Sequence, residues 1–274
     1  YFDMMFTNNT NYSKFVNLGA FENITDMVQT SAPELYSFIP EALWNGVKIG
    51  GNVYAVPSYK DSSVTQFWYF DDQYVQKYNI DITSIKTMQD LDAAFRAMKE
   101  GEGKSFYPLQ MAQGSPFNGF FNEYDGLTAG LQPMGVKIDD ETRTVVCTLE
   151  QPDIMENLKL MHQWYMDGIT NPDANVLTEV PKKLPFSSAQ GWPSAAATWQ
   201  TLNGVEKYDV FKVFGPLYST ETIQGSMNAI SVNSKYKEEC LKVLDLVNSD
   251  STFRDMLAYG VEGNTFEYVS DGVV

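Results

Sequence analysis

Apolar residues recur along this chain with two periods, and the two alternate. Leu35, Phe38, Ile39, Ala42 and Leu43 fall at spacings 0, 3, 4, 7 and 8, behind Ser31 and Pro33, which predicts one helix. Leu91, Ala94, Phe95 and Met98 predict another, with Thr87 and Asp90 as a capping box and Gly101 as its end. Ile154, Leu158, Met161 and Tyr165 stripe a third helix that closes at Gly168. Cys240, Val243, Leu244 and Val247 stripe a fourth, and "STFRDMLAYG" adds a short fifth.

The period-2 segments lie between these helices. Residues 1–6 read as a strand that runs into the polar loop "TNNTNYS". "VKIGGNVYAV" reads as two short strands turned by Gly50-Gly51. "VTQFWYF" is a strand ending at Asp71-Asp72, and "SFYPLQMA" is one leading to the loop "QGSPFNG". "VKIDDETRTVVCTL" reads as a hairpin about an acidic turn, while "YDVFKVFGPL" and "GSMNAISVNS" are single strands. Helix signals are weaker over 115–133, and residues 169–195 are rich in Pro, Asn and Ser, which reads as loop or short elements. "SAAATW" starts a helix or forms a short buried strand. Interleaved strands and helices without an internal repeat make the fold class α/β.

One segment resists that pattern. Between "GNVYAV" and "VTQFWYF", both apolar, stands "PSYKDSS" with Lys60 and Asp61. Charges between two buried strands ask for a wet surface or a ligand.

Composition narrows the options. With 43% apolar and 14% aromatic residues over 274 positions, the chain has enough material for a large core. Nineteen basic against 35 acidic residues leave −16, with no basic cluster, which argues against nucleic acid as a partner. Apolar runs of about four residues fall far short of the ~20 of a membrane-spanning helix. Cys147 and Cys240, 93 apart, are too few for a disulfide scaffold and read better as small hydrophobes than as a bridge. The chain opens inside a strand, without Met or a leader, and ends without a closing element, so a segment of a longer protein is expected.

Candidate chemistry is sparse. The one histidine, His162, sits mid-helix, where packing or exposure suits it better than catalysis. "NPDAN" offers Asn171, Asp173 and Asn175 at calcium-loop spacing, but Val176 stands where Gly is needed and Lys182 where Glu is. The glycines of "GGNVYA" and "GEGK" lack phosphate-loop spacing. Neither a catalytic group nor a metal or cofactor site is therefore expected. What remains is aromatics beside short polar residues: Trp68, Phe117, Trp192 and Trp199 with Asn8, Asn9, Gln113, Ser115 and Asn228. Aromatic faces and convergent amides suit a sugar ring, although each aromatic also reads as core.

The order of "YFDMMFTNN", "LGAFENITDM", "LWNGVKIGGNVYAVP" and "YNIDITSIKTMQDLDAAFRAMK" resembles the extracellular solute-binding proteins of ABC importers, close to the maltose-binding branch. The tail "GSMNAISVNSKYKEECLKVLDLVNSD" is similar to their lipoprotein subgroup for complex oligosaccharides. The resemblance implies a two-lobed periplasmic-binding-protein-like fold of type II. The first lobe would be residues 1–60 and 224–274, lacking an N-terminal strand–helix–strand unit, and the second residues 61–223. It implies a monomeric, non-enzymatic receptor that traps an oligosaccharide between the lobes by hinge closure and hands it to membrane permease subunits. It also implies an extracellular or periplasmic location with a lipid anchor. Carried over residue by residue, the ligand contacts would come from Thr7, Asn8 and Asn9, from Lys60 and Asp61 at the crossing, and from Gln113, Ser115 and Phe117. Trp199 would stack on sugar, and Ser226 and Asn228 would face the ligand at the return crossing. Two alternatives stay open: the same fold binding a peptide or carboxylate through Lys60, and a glycosidase with two cleft carboxylates.

Overall fold

The computed structural model describes residues 2–59, 64–113, 117, 123–127, 132–192 and 194–270. In chain order these begin with strand β1 (Met4–Thr7), helices α1 (Asn9–Asn17), α2 (Met27–Ser31), α3 (Pro33–Phe38) and α4 (Glu41–Gly46), and strands β2 (Lys48–Ile49), β3 (Asn52–Val53) and β4 (Ala55–Pro57). Next come β5 (Val64–Asp71), α5 (Asp72–Tyr78), α6 (Met88–Glu102), β6 (Tyr124–Asp125), β7 (Met134–Lys137), β8 (Val145–Cys147) and α7 (Pro152–Met166). The rest are β9 (Phe186–Gln190), α8 (Ala195–Asn203), β10 (Tyr208–Leu217), α9 (Thr220–Ile223), β11 (Met227–Ile230), α10 (Lys237–Ser249) and α11 (Ser251–Tyr259). They form two units, Tyr1–Tyr59 with Thr220–Val274, and Lys60–Ser219.

The first unit is built on an antiparallel sheet of order β1-β11-β4. Met227 is registered against Thr7 on one side and Pro57 on the other. Pro57 has no N–H to give a ladder, and it stands on an edge strand. Tyr12, Ile24, Leu35, Val47, Ala229 and Leu241 are fully buried in the core beneath. Tyr12 ties this core together. Its hydroxyl donates to the Val47 carbonyl at 2.7 Å and accepts from the Tyr54 N–H at 3.1 Å. Burial pushes that hydroxyl up to about 12, so it keeps the proton it donates.

Several expected boundaries shift. "TNNTNYS" is not a loop but the start of α1, because one buried residue, Tyr12, suffices to seat it. The helix expected over 33–43 is two helices. Pro40 drives Ile39 out of the helical region, to φ −82° and ψ 124°, yet Leu35, Ile39 and Leu43 all remain buried. Helix α10 is rotated from its expected stripe: Cys240, Leu241 and Leu244 are buried and Val243 is exposed. The Gly50-Gly51 turn is as expected, with φ 58° and 85°, the left-handed pair that joins β2 to β3.

The second unit is organised by β5, the middle strand of a sheet of order β10-β5-β9. Its aromatics face both ways. Trp68 and Phe70 pack with Phe95, Phe117 and Phe186, and Tyr69 with Tyr208 and Trp199. Strand β9 is one of the short elements in the stretch expected to hold loop or short elements; it contributes Phe186 opposite Phe70 and Gln190 opposite Gln66. "SFYPLQMA" forms only isolated bridges among the described residues, Leu109 pairing with Thr170. Helix α6 has its capping box, Thr87 with Asp90, but runs past Gly101 to cap at Gly103 (φ 90°). Helix α7 buries Ile154 and Trp164, whose indole N–H donates to Asp92 at 2.8 Å, while Tyr165 is exposed. The expected acidic-turn hairpin is β7 with β8. Cys147 and Cys240 are both free thiols.

Two substitutions test the first unit. Ala32 precedes α3 and has no side chain to cap it; the cap comes instead from α10, where Asp245 Oδ1 accepts from the Leu35 N–H at 2.6 Å. We expect Asp245→Ala to cost about 1 kcal/mol in urea unfolding and Asp245→Asn, which keeps an oxygen, much less. Tyr12→Phe leaves a buried carbonyl and a buried N–H without their partner. It should cost roughly 2 kcal/mol by the same measurement.

Candidate functional site

The register of the first sheet collects polar residues at one of its ends. β1 finishes there at Thr7, β11 begins there at Met227, and β4 ends there at Pro57. Thr7, Asn8 and Asn9 leave from β1, Ser226 leads into β11, and Asn228 lies in register with Phe6. The Ser226 carbonyl accepts from the Ser58 N–H at 2.9 Å, closing that end. Phe6 is 68% exposed.

The polar atoms at this end are unusual. Asn8 stands at the N-cap of α1 in extended geometry, φ −146° and ψ 176°. Its carbonyl accepts from the Asn11 and Tyr12 N–H groups, but its side chain makes no cap. Thr7 Oγ1, Asn8 Oδ1 and Asn9 Nδ2 are each buried without a hydrogen-bond partner. Buried polar groups are nearly always paired, and one left unpaired costs about 1–3 kcal/mol. Three in a row supply an acceptor, a donor and a hydroxyl that serves as either. A ligand hydroxyl complements all three.

In the second unit the anticipated residues separate. Trp68 and Phe117 lie in the core with ring centroids 5.7 Å apart. The Trp68 ring also meets Phe186 and Phe211 in T-shaped geometry, at 6.1 and 6.2 Å between centroids, so it is packed among aromatics. Trp199 lies on the opposite face of β5, stacked on Tyr69 at 4.8 Å and 15°. A Cβ at Gly191 would stand 2.6 Å from its ring, so glycine is what lets the indole lie there. Trp192, just past β9, is 49% exposed and presents an open aromatic surface. Gln113 is exposed, with its N–H bonded to the Leu177 carbonyl at 2.9 Å. Lys60, Asp61 and Ser115 lie outside the described residues.

Sequence reasoning overlooked Phe6. The signal was present, because position 6 shares its strand face with positions 2 and 4, and Phe2 and Met4 are exposed too. It also treated Trp68 as a ring to stack on, whereas the indole N–H is the part left without a partner. His162 is exposed on α7, and Asn171 is a buried turn residue whose amide bridges to both Met111 N–H and carbonyl, at 2.8 and 3.0 Å. No group of three His, Cys, Asp or Glu among the described residues is arranged to hold a metal ion.

Known proteins resemble this chain as a whole. A carbohydrate ABC transporter substrate-binding protein of Streptococcus pneumoniae serotype 4 (strain ATCC BAA-334 / TIGR4) is 25% identical over 273 residues, 98% of this chain and 54% of that protein. The solved N-glycan transport solute binding protein NgtS from Streptococcus pneumoniae matches with a TM-score of 0.79 at 22% identity, covering 98% of this chain and 59% of its own. The sugar-binding protein MalE from Xanthomonas citri matches with a TM-score of 0.58 at 16% identity, covering 93% and 64%. The chain thus spans little more than half the length of these relatives, and the structural likenesses establish the expected type II binding-protein fold. Residues 1–252 match the family described as bacterial extracellular solute-binding protein, and the chain belongs to that family.

Proposed function

We propose that this chain is the ligand-binding receptor of an ABC importer, taking a neutral oligosaccharide, and that it catalyses no reaction on it. The observation that carries the reading is the run of three unpartnered buried polar atoms at Thr7, Asn8 and Asn9. All three side chains are uncharged, and their donor and acceptor set suits hydroxyl groups. Exposed Phe6 and Trp192 offer apolar surface for the C–H face of a pyranose. The charge of −16 adds a long-range field that disfavours anionic solutes.

Solved relatives of this fold support the ligand class. NgtS is in complex with Man1GlcNAc and with Man5GlcNAc, and other members with lacto-N-biose and β-1,6-galactobiose. The partners in this proposal are membrane permease subunits, and the receptor acts as a monomer outside the cytoplasmic membrane, held by a lipid anchor. No helix among the described residues is long and apolar enough to cross a membrane.

A thermal-shift panel of Man5GlcNAc, lacto-N-biose, β-1,6-galactobiose and an alginate oligosaccharide tests the reading. At least one neutral sugar should raise the melting temperature, with about 2.7 kcal/mol of stabilisation at 100 times its dissociation constant, and leave the sugar unhydrolysed. Changing both Asn8 and Asn9 to Ala should weaken that sugar roughly tenfold or more. A shift from alginate alone, or from none of the four, overturns the proposal.

A further inference from the structure

At the end of α4, two successive carbonyls are held by two different arms of the first unit. The Val47 carbonyl accepts from the Tyr12 hydroxyl of α1 at 2.7 Å. The Gly46 carbonyl accepts from the Gln224 side-chain amide at 2.8 Å. Gln224 directly follows α9, where the chain re-enters the first unit. Gly46 is also a point of close approach between α4 and α9. A Cβ there would stand 2.8 Å from Ile223 Cδ1 and 3.0 Å from its Cγ2. Gly46 is the last residue of a helix, so its backbone would accept a side chain and only the lack of space requires glycine. Ile223 is β-branched and packs against the core, so it has little freedom to turn away. The turn that follows has no slack, because a Cβ at Gly225 would stand 2.7 Å from the Glu221 carbonyl. Ser226 comes next, and its carbonyl accepts from the Ser58 N–H at 2.9 Å. A shift of α9 on α4 is therefore passed to Ser226 within three residues. On the other arm, Asn8 and Asn9 begin α1 about one turn before Tyr12.

We infer that the Gly46-Val47 end of α4 is the bracket that sets Ser226 against Asn8 and Asn9, and that Gly46 is a positioning residue for the ligand, acting through α9. The inference rests on the receptor reading above and adds residues that touch no ligand. The two arms come from opposite ends of the chain, yet both are tied to neighbouring peptide groups. Adjacent Cα atoms are about 3.8 Å apart, so the arms are referred to nearly one point. Magnitudes decide whether this matters. Carbon atoms in ordinary contact stand about 3.5 Å apart. A methyl group at position 46 would therefore move Ile223, and α9 with it, by roughly 0.5–0.7 Å from the 3.0 and 2.8 Å positions. Binding groups work when they are held to within about 0.5 Å, so that displacement is enough to misplace the ligand end.

Titration calorimetry with Man5GlcNAc, lacto-N-biose and β-1,6-galactobiose, on parent and variants at a temperature where each is folded, tests this. Gly46→Ala should weaken whichever sugar the parent binds roughly tenfold and speed hydrogen exchange at the Ser58 amide. Gln224→Met keeps the length and removes the amide donor. It should weaken the same sugar about threefold, and it keeps a readout if Gly46→Ala fails to fold. Adding Ile223→Ala to Gly46→Ala leaves only the Cβ of residue 223, at 3.6 Å, and should restore binding. A lower urea midpoint with unchanged sugar affinity marks a contact that serves stability alone and overturns the inference. So does a loss of affinity that Ile223→Ala leaves unrescued, or unchanged exchange at Ser58. If the parent binds a sugar and the variants bind it equally well, the receptor reading survives and the bracket does not; if the parent binds none, both fall.

Discussion

Everything in the first unit depends on β11 lying between β1 and β4. Those two outer strands come from the first 57 residues, and β11 comes from positions 227–230. The ladders on both of its sides therefore close across nearly the whole chain, and so does the cap that Asp245 gives to α3. Such long-range contacts form only after the intervening chain is in place, because the loop-closure entropy is met before the contacts offset it. In chain order, β1 and β4 have no middle strand until the chain returns through α9 to β11. The polar end of the sheet, where Thr7 meets Met227, is a product of the same closure. The residues with unpartnered atoms are thus brought against β11 by long-range pairing and not by local preference.

The second unit solves a different problem. β5 is buried on both faces, so its sequence is a near-continuous aromatic run and not an alternation. Each face then needs its own cover. α6 and α7 supply one through Phe95 and Trp164, and α8 supplies the other through Trp199. Gly191 is set by that second cover, since the Trp199 ring lies where a side chain would be. Crowding on the first face leaves the Trp68 ring enclosed and its N–H buried without a hydrogen-bond partner.

How much of this was legible follows from where the information resides. Local signals read well: the glycine pair between β2 and β3, the Thr87–Asp90 box on α6, and the acidic hairpin turn are each written within a few residues. Signals that depend on a partner did not. β9 has one large apolar residue, Phe186, and becomes a strand because β5 offers a ladder. On α7 the choice between Trp164 and Tyr165 is one position, and Asp92 on another helix decides it by accepting the indole N–H. On α10 a similar ambiguity hid Leu241, two positions before Val243. In the candidate site, residue type pointed to Asn8 and Asn9, because amides beside a strand end were evident. That their polar atoms are unpaired is a property of packing, which no spacing encodes.

Asn8 is the point at the polar end that local stability accounts for least. Asparagine is among the best N-cap residues, and a side-chain cap is typically worth about 1 kcal/mol. Here the residue has the extended cap backbone and its carbonyl starts the helix, yet its side-chain oxygen accepts from no N–H of α1. Beside it, Thr7 and Asn9 each bury a polar atom without a partner. A chain selected for stability alone would turn Asn8 inward to cap and place an apolar residue at position 7, next to Met227. Departures of this kind from local consistency concentrate where a protein binds something. The helix is held instead by Tyr12, whose hydroxyl reaches Val47 and Tyr54. With α1 secured from its buried side, the amides at its start are free of a structural task, which leaves them to the ligand in the proposed receptor.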